Sequence, residues 1–173
     1  FLDKFKRERI SSSDYLNFDL DRIDLIEDVF RNNLLSGLNV TIPYKEKIIP
    51  YLDELSPIAK EIGSVNTICF ENSKKIGYNT DFHGFDKTLS EINIENIEHA
   101  LVLGTGGASK AIRYVLSKRN IKYNLVSRSK KNNNILYKDL DSNMFNQSLL
   151  IINSTPLGTY PNIEEFPDIP YNL

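Results

Sequence analysis

One stretch decides the fold of this 173-residue chain: Ala100-Leu101-Val102-Leu103-Gly104-Thr105-Gly106-Gly107-Ala108-Ser109. Its first four residues are a continuous apolar run, which is typical of a strand buried on both faces of a parallel sheet. The glycines that follow allow a tight turn and let a phosphate approach the backbone closely. Helical spacing over residues 110–119 and a further strand over 121–126 complete a βαβ unit. This order predicts an α/β dinucleotide-binding domain of the Rossmann type.

The loop after the second strand indicates which dinucleotide would bind. It reads Ser127-Arg128-Ser129-Lys130-Lys131, without the acidic residue that accepts hydrogen bonds from the ribose of NAD. Because Arg128 can instead contact a 2′-phosphate, we predict NADP as the cofactor; the alternative is a solvated basic surface loop. The predicted cofactor-binding residues are Gly104, Gly106, Gly107, Ala108, Ser127, Arg128, Ser129 and Lys131.

The residues before this unit alternate between strand and helix patterns. We predict strands over 15–20 and 38–42, helices over 22–33, 45–51 and 57–62, and a hairpin of 67–70 with 75–78. After the βαβ unit, the sequence predicts a short helix around 142–147 and a buried strand over 149–153. We therefore expect two α/β domains: a substrate-binding domain over residues 1–92, followed by an incomplete Rossmann-like NADP-binding domain over residues 93–173.

Small polar groups lie at the ends of three predicted strands in the first domain. Lys45 ends the string N-V-T-I-P-Y-K, Asn66 precedes the hairpin, and Asp81 ends the string N-T-D. If these strand ends converge on one cleft, a lysine beside an aspartate can pass a proton to or from an alcohol. Each residue also has a plainer interpretation: Lys45 as a surface charge, Asn66 as a turn residue and Asp81 as the N-cap of the following helix.

Together these motifs resemble those of the shikimate dehydrogenase family. Five strings follow the family's order: N-V-T-x-P-x-K at 39–45, I-G-A-V-N-T-[LI] at 62–68 with Ser64 in place of alanine, G-x-N-T-D at 77–81, G-x-G-G-A-[SG] at 104–109 and N-[AT]-T-P-L-G-M-x-P at 153–161. The resemblance covers residues 39–161. It implies that Lys45 and Asp81 are the catalytic pair and that Thr41, Asn66 and Asp81 contact the substrate. It also implies that Arg128 takes the place of the arginine in the family's N-R-T motif.

The activity implied by the resemblance is the reversible, NADP-dependent reduction of 3-dehydroshikimate to shikimate in the biosynthesis of aromatic amino acids. Two alternatives stay open: a quinate/shikimate dehydrogenase of broader specificity, and a non-catalytic NADP-binding regulator. Retention of both Lys45 and Asp81 argues against the regulator. His83 is a rival proton carrier, but its neighbours Phe82 and Phe85 favour a packed or capping histidine.

The sequence departs from the family's pattern at both ends. The family's N-terminal S-x-S segment, which holds the substrate carboxylate, is absent, and Ser11-Ser12-Ser13 precedes a different strand. The family's C-terminal helix, with a glutamine that contacts substrate, is missing as well. We therefore expect this chain to be a fragment lacking both termini and to have little activity of its own, because remote binding contacts also hold the reacting carbon in place.

Composition and charge limit the classes of partner. Lys and Arg total 21 against 23 Asp and Glu, so the net charge of −2 gives no broad basic surface for nucleic acid and favours a small-molecule substrate. No apolar run approaches the ~20 residues of a membrane span, so we expect neither a membrane partner nor secretion. The single Cys69 has no disulfide partner and no cysteine cluster for a metal, which fits the cytoplasm and a place in the core. We expect no metal, and a monomer or a homodimer.

Overall fold

The computed structural model describes residues 1–32, 34–92, 94, 96–130, 133–146 and 150–171. Contacts between residues divide the chain into two compact units, residues 1–35 and residues 36–173. The first unit contains α1 (Leu2–Arg7), a short 3-10 helix (Ile23–Leu25) and α2 (Ile26–Phe30). In α2, Ile26 and Val29 are buried.

Two sequence predictions for the first unit differ from the structure. Residues 15–20 were predicted as a strand but form none. Leu16 and Phe18 are 60% and 39% exposed, and extended backbone becomes a strand only when a neighbour accepts its hydrogen bonds. The helix predicted over 22–33, whose residue 33 lies outside the described residues, is shorter, because α2 ends at Phe30. The Asn32 side chain accepts a hydrogen bond from the Leu34 N–H at 3.1 Å just beyond it.

Among the described residues, the second unit forms two four-stranded sheets, of which the first is mixed. Its strands are β1 (Gly37–Asn39), β2 (Glu54–Leu55), β3 (Thr67–Glu71) and β4 (Lys74–Tyr78), in the spatial order β1-β3-β4-β2. The pairs of β3 with β1 and with β4 are antiparallel, and the pair of β2 with β4 is parallel. The predicted hairpin is confirmed: Asn72 and Ser73 have φ of 50° and 63°, as a two-residue type I′ turn requires.

The helical predictions beside this sheet have opposite outcomes. The helix predicted over 57–62 is confirmed as α3 (Pro57–Ile62): Ser56 accepts the Ala59 N–H at 3.2 Å, and Gly63 ends the helix at φ 67°. The helix predicted over 45–51 is wrong, because the chain makes consecutive turns and then a 3-10 helix (Ile49–Tyr51). Pro50 has no N–H to donate and restricts the residue before it.

The second sheet is entirely parallel. Its strands are β5 (His99–Leu103), β6 (Lys122–Ser127), β7 (Ile135–Leu136) and β8 (Leu150–Asn153), in the spatial order β7-β6-β5-β8. The predicted α/β class with a Rossmann-like sheet is therefore confirmed. The strand order reverses between β5 and β8, and ligands of such sheets bind outside the carboxyl ends of the strands at this point.

One hydrophobic core of the second unit lies between this sheet and two helices, α4 (Asp81–Glu91) and α5 (Gly107–Lys118). Its buried members are Leu89, Ala100, Val102, Ile112, Val115, Leu116 and Ile121. The helix α6 (Ser142–Asn146) matches the short helix predicted around 142–147. Residue 147 of that helix and residue 149 of the last predicted strand lie outside the described residues.

The expected place of Cys69 in the core is wrong. The side chain is only half-buried, since successive residues of β3 face opposite sides of the sheet and it is the neighbouring Ile68 that is fully buried. Partial burial still raises the pKa of the Cys69 thiol, and the nearby Glu71 carboxylate adds to the effect.

Candidate active site

Three side chains from separate segments meet in the second unit, and we call Lys45, Asn66 and Asp81 the lysine cluster. The Lys45 ammonium donates to Asp81 Oδ2 at 2.7 Å, and Asn66 Nδ2 donates to Asp81 Oδ1 at 2.7 Å. The Lys45 side chain is 15% exposed and that of Asp81 is 31% exposed. Because each carboxylate oxygen has its own donor, the aspartate holds the lysine in one position while the site remains open to solvent.

Backbone hydrogen bonds tie together the segments that carry the lysine cluster. The Lys45 carbonyl accepts from the Val65 N–H at 2.7 Å. Asn66 donates its own N–H to the Tyr78 carbonyl at 3.0 Å, and its carbonyl accepts from the Val40 N–H at 2.8 Å. Asn66 therefore sits between the chain leaving β1 and the end of β4, and this arrangement fixes its side chain beside Asp81.

The plainer interpretation of Asp81 as the N-cap of α4 is wrong. The helix begins at Asp81 itself and Thr80 occupies the cap position. The Thr80 N–H donates to Asn66 Oδ1 at 2.8 Å, and Asn66 Nδ2 also lies 2.9 Å from Thr80 Oγ1. Asn66 thus accepts from the backbone N–H next to the helix start and shares the Asp81 carboxylate with Lys45. Asp81 lies in the first turn of α4, where the helix dipole favours negative charge.

Two other predicted residues lie outside this hydrogen-bonded cluster. Thr41 is exposed, and its carbonyl accepts from the Tyr44 N–H at 2.8 Å. His83 is exposed as well, with its ring 3.9 Å from that of Phe82 between centroids. This packing of His83 agrees with the interpretation of a packed histidine.

The glycine turn, which we define as residues 104–107, lies directly against the lysine cluster. Gly104 has φ of 105°, and a Cβ there would come within 2.8 Å of Ser154 Oγ. A Cβ on Gly107 would lie 2.9 Å from Lys45 Cβ and 2.8 Å from Ser64 Oγ. A Cβ on Gly106 would meet nothing within 4 Å. The turn is therefore packed on protein at both ends and open at Gly106.

This geometry fits a dinucleotide. The twelve-residue helix α5 starts at Gly107, with Ala108 next, so its first N–H groups lie where a pyrophosphate needs donors. Space at Gly106 allows the close approach of a phosphate.

The arginine loop, which we define as residues 127–130, is hydrogen-bonded within itself and to the nearby Asn134. Ser127 Oγ donates to the Ser129 carbonyl at 2.6 Å and accepts from Asn134 Nδ2 at 2.7 Å. Lys130 Nζ donates to the Asn134 carbonyl at 2.7 Å. Ser127 is buried, whereas Arg128 and Ser129 are exposed. The Ser127 hydroxyl shapes the loop from inside and Arg128 carries its charge into solvent; the predicted Lys131 lies outside the described residues.

Sequence reasoning missed two residues behind this loop. Asn134 is 1% exposed and bonds to both Ser127 and the Ser129 carbonyl. The Tyr137 hydroxyl is buried and has no hydrogen-bond partner among the described residues. Burial raises its pKa, an effect that the positive charge of Arg128 opposes. The signal for Asn134 was its position in an asparagine-rich stretch, but a stretch of that kind does not indicate which asparagine turns inward.

The described part of the chain also bears on metals and membranes. It contains no group of three or more His, Cys, Asp or Glu side chains arranged to hold a metal ion. None of its helices combines the length and the apolar character needed to cross a membrane.

Comparisons with known proteins agree with the motifs. Residues 3–68 match the family described as "Shikimate dehydrogenase substrate binding domain". The curated shikimate dehydrogenase (NADP(+)) of Methanococcus maripaludis is 39% identical over 175 residues, an alignment that covers 91% of this chain and 62% of that protein. The chain thus spans less than two thirds of the length of this relative.

Solved structures give the same result. The crystal structure of shikimate dehydrogenase from Aquifex aeolicus is 35% identical, with a TM-score of 0.81 over 98% of this chain and 67% of that one. The Thermus thermophilus shikimate 5-dehydrogenase, solved in complex with NADP(H) and shikimate, is 26% identical, with a TM-score of 0.71 over 88% of this chain and 59% of that one.

Proposed function

Because the chain belongs to the shikimate dehydrogenase family, we propose that it carries the site of an NADP-dependent oxidoreductase that interconverts 3-dehydroshikimate and shikimate. One observation carries the proposal: the Lys45 ammonium is paired with Asp81 at 2.7 Å, and Gly107 of the glycine turn packs against the same lysine. A proton donor and a dinucleotide-binding turn are therefore neighbours, as the reduction of a ketone by a nicotinamide requires.

In this proposal Lys45 is the acid–base residue. When bound, NADPH supplies the hydride to the carbonyl carbon of 3-dehydroshikimate. Lys45 donates one of its ammonium protons to the carbonyl oxygen, which becomes the hydroxyl of shikimate, and in the reverse direction the neutral amine takes that proton back. Asp81 holds the ammonium toward the substrate and Asn66 holds Asp81. Thr41, Asn66 and Asp81 contact the substrate.

The cofactor residues divide into two groups in this proposal. The glycine turn and Ala108 hold the pyrophosphate through the first N–H groups of α5. Arg128 pairs with the 2′-phosphate, and its exposure leaves the guanidinium available for that contact. Ser129 adds a donor beside Arg128, Ser127 maintains the loop from inside, and we retain Lys131 as a further cation.

Three further proposals follow from the sequence. We place the boundary between a substrate-binding and an NADP-binding domain at residues 92 and 93; in support, the strands of the mixed sheet all precede it and those of the parallel sheet all follow it. The lone Cys69 supports a location in the cytoplasm. We propose a monomer or a homodimer that binds neither nucleic acid nor a membrane, which is consistent with the net charge of −2.

A turnover assay of the whole protein tests the proposed function. Formation of the reduced cofactor, NADPH or NADH, is measured with shikimate or quinate as the alcohol and with NADP or NAD as the cofactor. We expect the highest kcat/KM with shikimate and NADP. Equal use of quinate would indicate the broader quinate/shikimate dehydrogenase, and NADP binding without turnover of either alcohol would contradict the proposal in favour of a regulator.

A further inference from the structure

Lys110 on α5 connects the glycine turn to both segments beside the lysine cluster. Its ammonium donates to Glu46 Oε2 at 2.7 Å and to the Gly63 carbonyl at 3.0 Å. Glu46 directly follows Lys45 in the chain, and Gly63 is the residue that ends α3. The Lys110 side chain is 26% exposed, so these bonds are partly shielded from solvent.

Lys110 also lies one helical turn beyond the contact between Gly107 and Lys45. A Cβ on Gly107 would come within 2.9 Å of Lys45 Cβ, so the start of α5 and the Lys45 segment already touch. Residues three apart on a helix lie on the same face. Gly107 and Lys110 therefore form two successive contacts of α5 with the segment that carries the proton donor.

We propose that Lys110 is a positioning residue that sets the distance between a dinucleotide held at the glycine turn and the Lys45 ammonium. The inference rests on the proposed function. Hydride and proton must reach neighbouring atoms of one carbonyl group, and a misplacement of about 1 Å can lower a rate by roughly 10²-fold. The Lys110 ammonium thus adds two hydrogen bonds to the van der Waals contact that Gly107 makes with Lys45 at the start of α5.

The chain offers a matched control on the same helix. Lys118, the last residue of α5, pairs with Glu61 of α3 at 3.3 Å. Both side chains of this pair are more than half exposed, at 59% and 56%. Lys118 therefore also links α5 to the α3 region through an ion pair, but at the end of the helix opposite to the glycine turn.

The experiment compares Lys110→Met, Lys110→Arg and Lys118→Met in the whole protein. Methionine keeps an unbranched apolar stem and removes the charge. For Lys110→Met we expect kcat to fall about tenfold while KM for NADP and for shikimate changes by less than about twofold. The primary deuterium isotope effect on kcat should rise, because hydride transfer becomes slower relative to product release. Lys110→Arg should recover most of the rate, and Lys118→Met should resemble the wild type.

The outcomes separate this inference from the proposed function. A wild type that turns over shikimate while Lys110→Met retains its kcat and isotope effect would overturn the inference alone. A wild type without turnover would overturn the proposed function and the inference with it. If Lys110→Met does not fold, Glu46→Gln is used instead, because it removes the negative charge of the partner and keeps the side-chain shape. A lower kcat and a larger isotope effect in Glu46→Gln support the inference. Wild-type values of both in Glu46→Gln overturn it.

Discussion

The lysine cluster and the arginine loop are organised in opposite ways. The bond between Lys45 and Asp81 joins residues 36 positions apart, and both carboxylate oxygens have partners. The hydrogen bonds described for Ser127, Lys130 and Asn134 join residues at most seven positions apart, and Arg128 itself is exposed. The first region is a charged pair assembled by the tertiary fold, and the second is a locally formed turn that presents one charge to solvent.

Because of this difference, we expect the two regions to affect different kinetic quantities. A preformed pair whose members orient one another acts on the reacting group, so its loss should appear in kcat. An exposed cation on a stable turn gains its partner only when a ligand phosphate arrives, so its loss should appear in cofactor affinity.

The largest expected effect is that of Lys45→Ala. Removal of a positioned acid–base group should lower kcat by ~10²–10⁴. The affinity for NADP should change little, because the arginine loop and the glycine turn retain their own bonds. The measurement is steady-state kcat with shikimate, together with a dissociation constant for NADP in wild type and variant.

His83→Ala is the matched control for this prediction. His83 is exposed and its ring contacts that of Phe82, so its removal should leave kcat close to the wild-type value. Loss of turnover in His83→Ala with retained turnover in Lys45→Ala would move the proton-transfer role to the histidine.

Arg128→Asp should change cofactor preference. Loss of a charged hydrogen bond to the 2′-phosphate should weaken NADP binding roughly ten- to a hundredfold, while the new carboxylate can accept from the ribose of NAD. Titration calorimetry with NADP and with NAD measures the shift. Lys122→Glu is the control, because Lys122 is exposed at the opposite end of β6. Unchanged discrimination in Arg128→Asp would show that the arginine loop is only a basic surface.

Substitutions at the adjacent Gly106 and Gly107 should separate an effect on Lys45 from an effect on cofactor binding. In Gly107→Ala the new Cβ meets Lys45 Cβ at 2.9 Å, so we expect kcat to fall about tenfold as the lysine is displaced. In Gly106→Ala the new Cβ meets no protein atom within 4 Å and should instead hinder the pyrophosphate, which raises KM for NADP with a smaller change in kcat. Identical kinetic profiles for the two variants would contradict this division.

The smallest effect concerns a second lysine–aspartate pair that lies outside the candidate site. Asp53 accepts the Lys75 N–H at 2.7 Å and the Lys75 ammonium at 3.3 Å, and these contacts lower the pKa of Asp53. Its contribution to stability is therefore present above the pKa of the unfolded chain and is lost as pH falls through the lowered pKa of the folded state.

Asp53→Asn should accordingly lower the melting temperature by about 1–2 °C at neutral pH and leave it unchanged in strong acid, with kcat unaffected. Melting curves across pH and one kinetic assay are sufficient. A large fall in kcat in Asp53→Asn would mean that loss of any lysine–aspartate pair lowers activity by destabilising the fold. The effect of Lys45→Ala would then no longer indicate a catalytic role for Lys45 and Asp81.

Local signals explain which elements could be predicted from the sequence. α3 is confirmed because Ser56 and Gly63 cap it within one short segment, and the hairpin because Asn72 and Ser73 adopt the required turn. Residues 15–20 show an equally regular alternation, but a strand also needs a pairing partner, which a local pattern does not reveal.

In the candidate site, too, residues marked by a local sequence pattern could be predicted and the others could not. The sequence indicates that Lys45, Asn66 and Asp81 can converge, because each lies at an end of a predicted strand. The pair of Lys110 with Glu46 spans 64 positions, and no local pattern marks it. The inward turn of Asn134 depends on the course of the arginine loop after β6, which its residue type does not indicate.

The central claim is that Lys45 and Asp81 act as one proton-transfer unit, and a double-mutant cycle tests it most directly. The measurement is kcat with shikimate and NADP for Lys45→Ala, Asp81→Ala and the double variant of the whole protein. Residues that act as a unit are strongly non-additive, so we predict that the double variant loses about as much as the worse single variant. Losses that multiply, so that the double variant falls by the product of the two single effects, would contradict the claim.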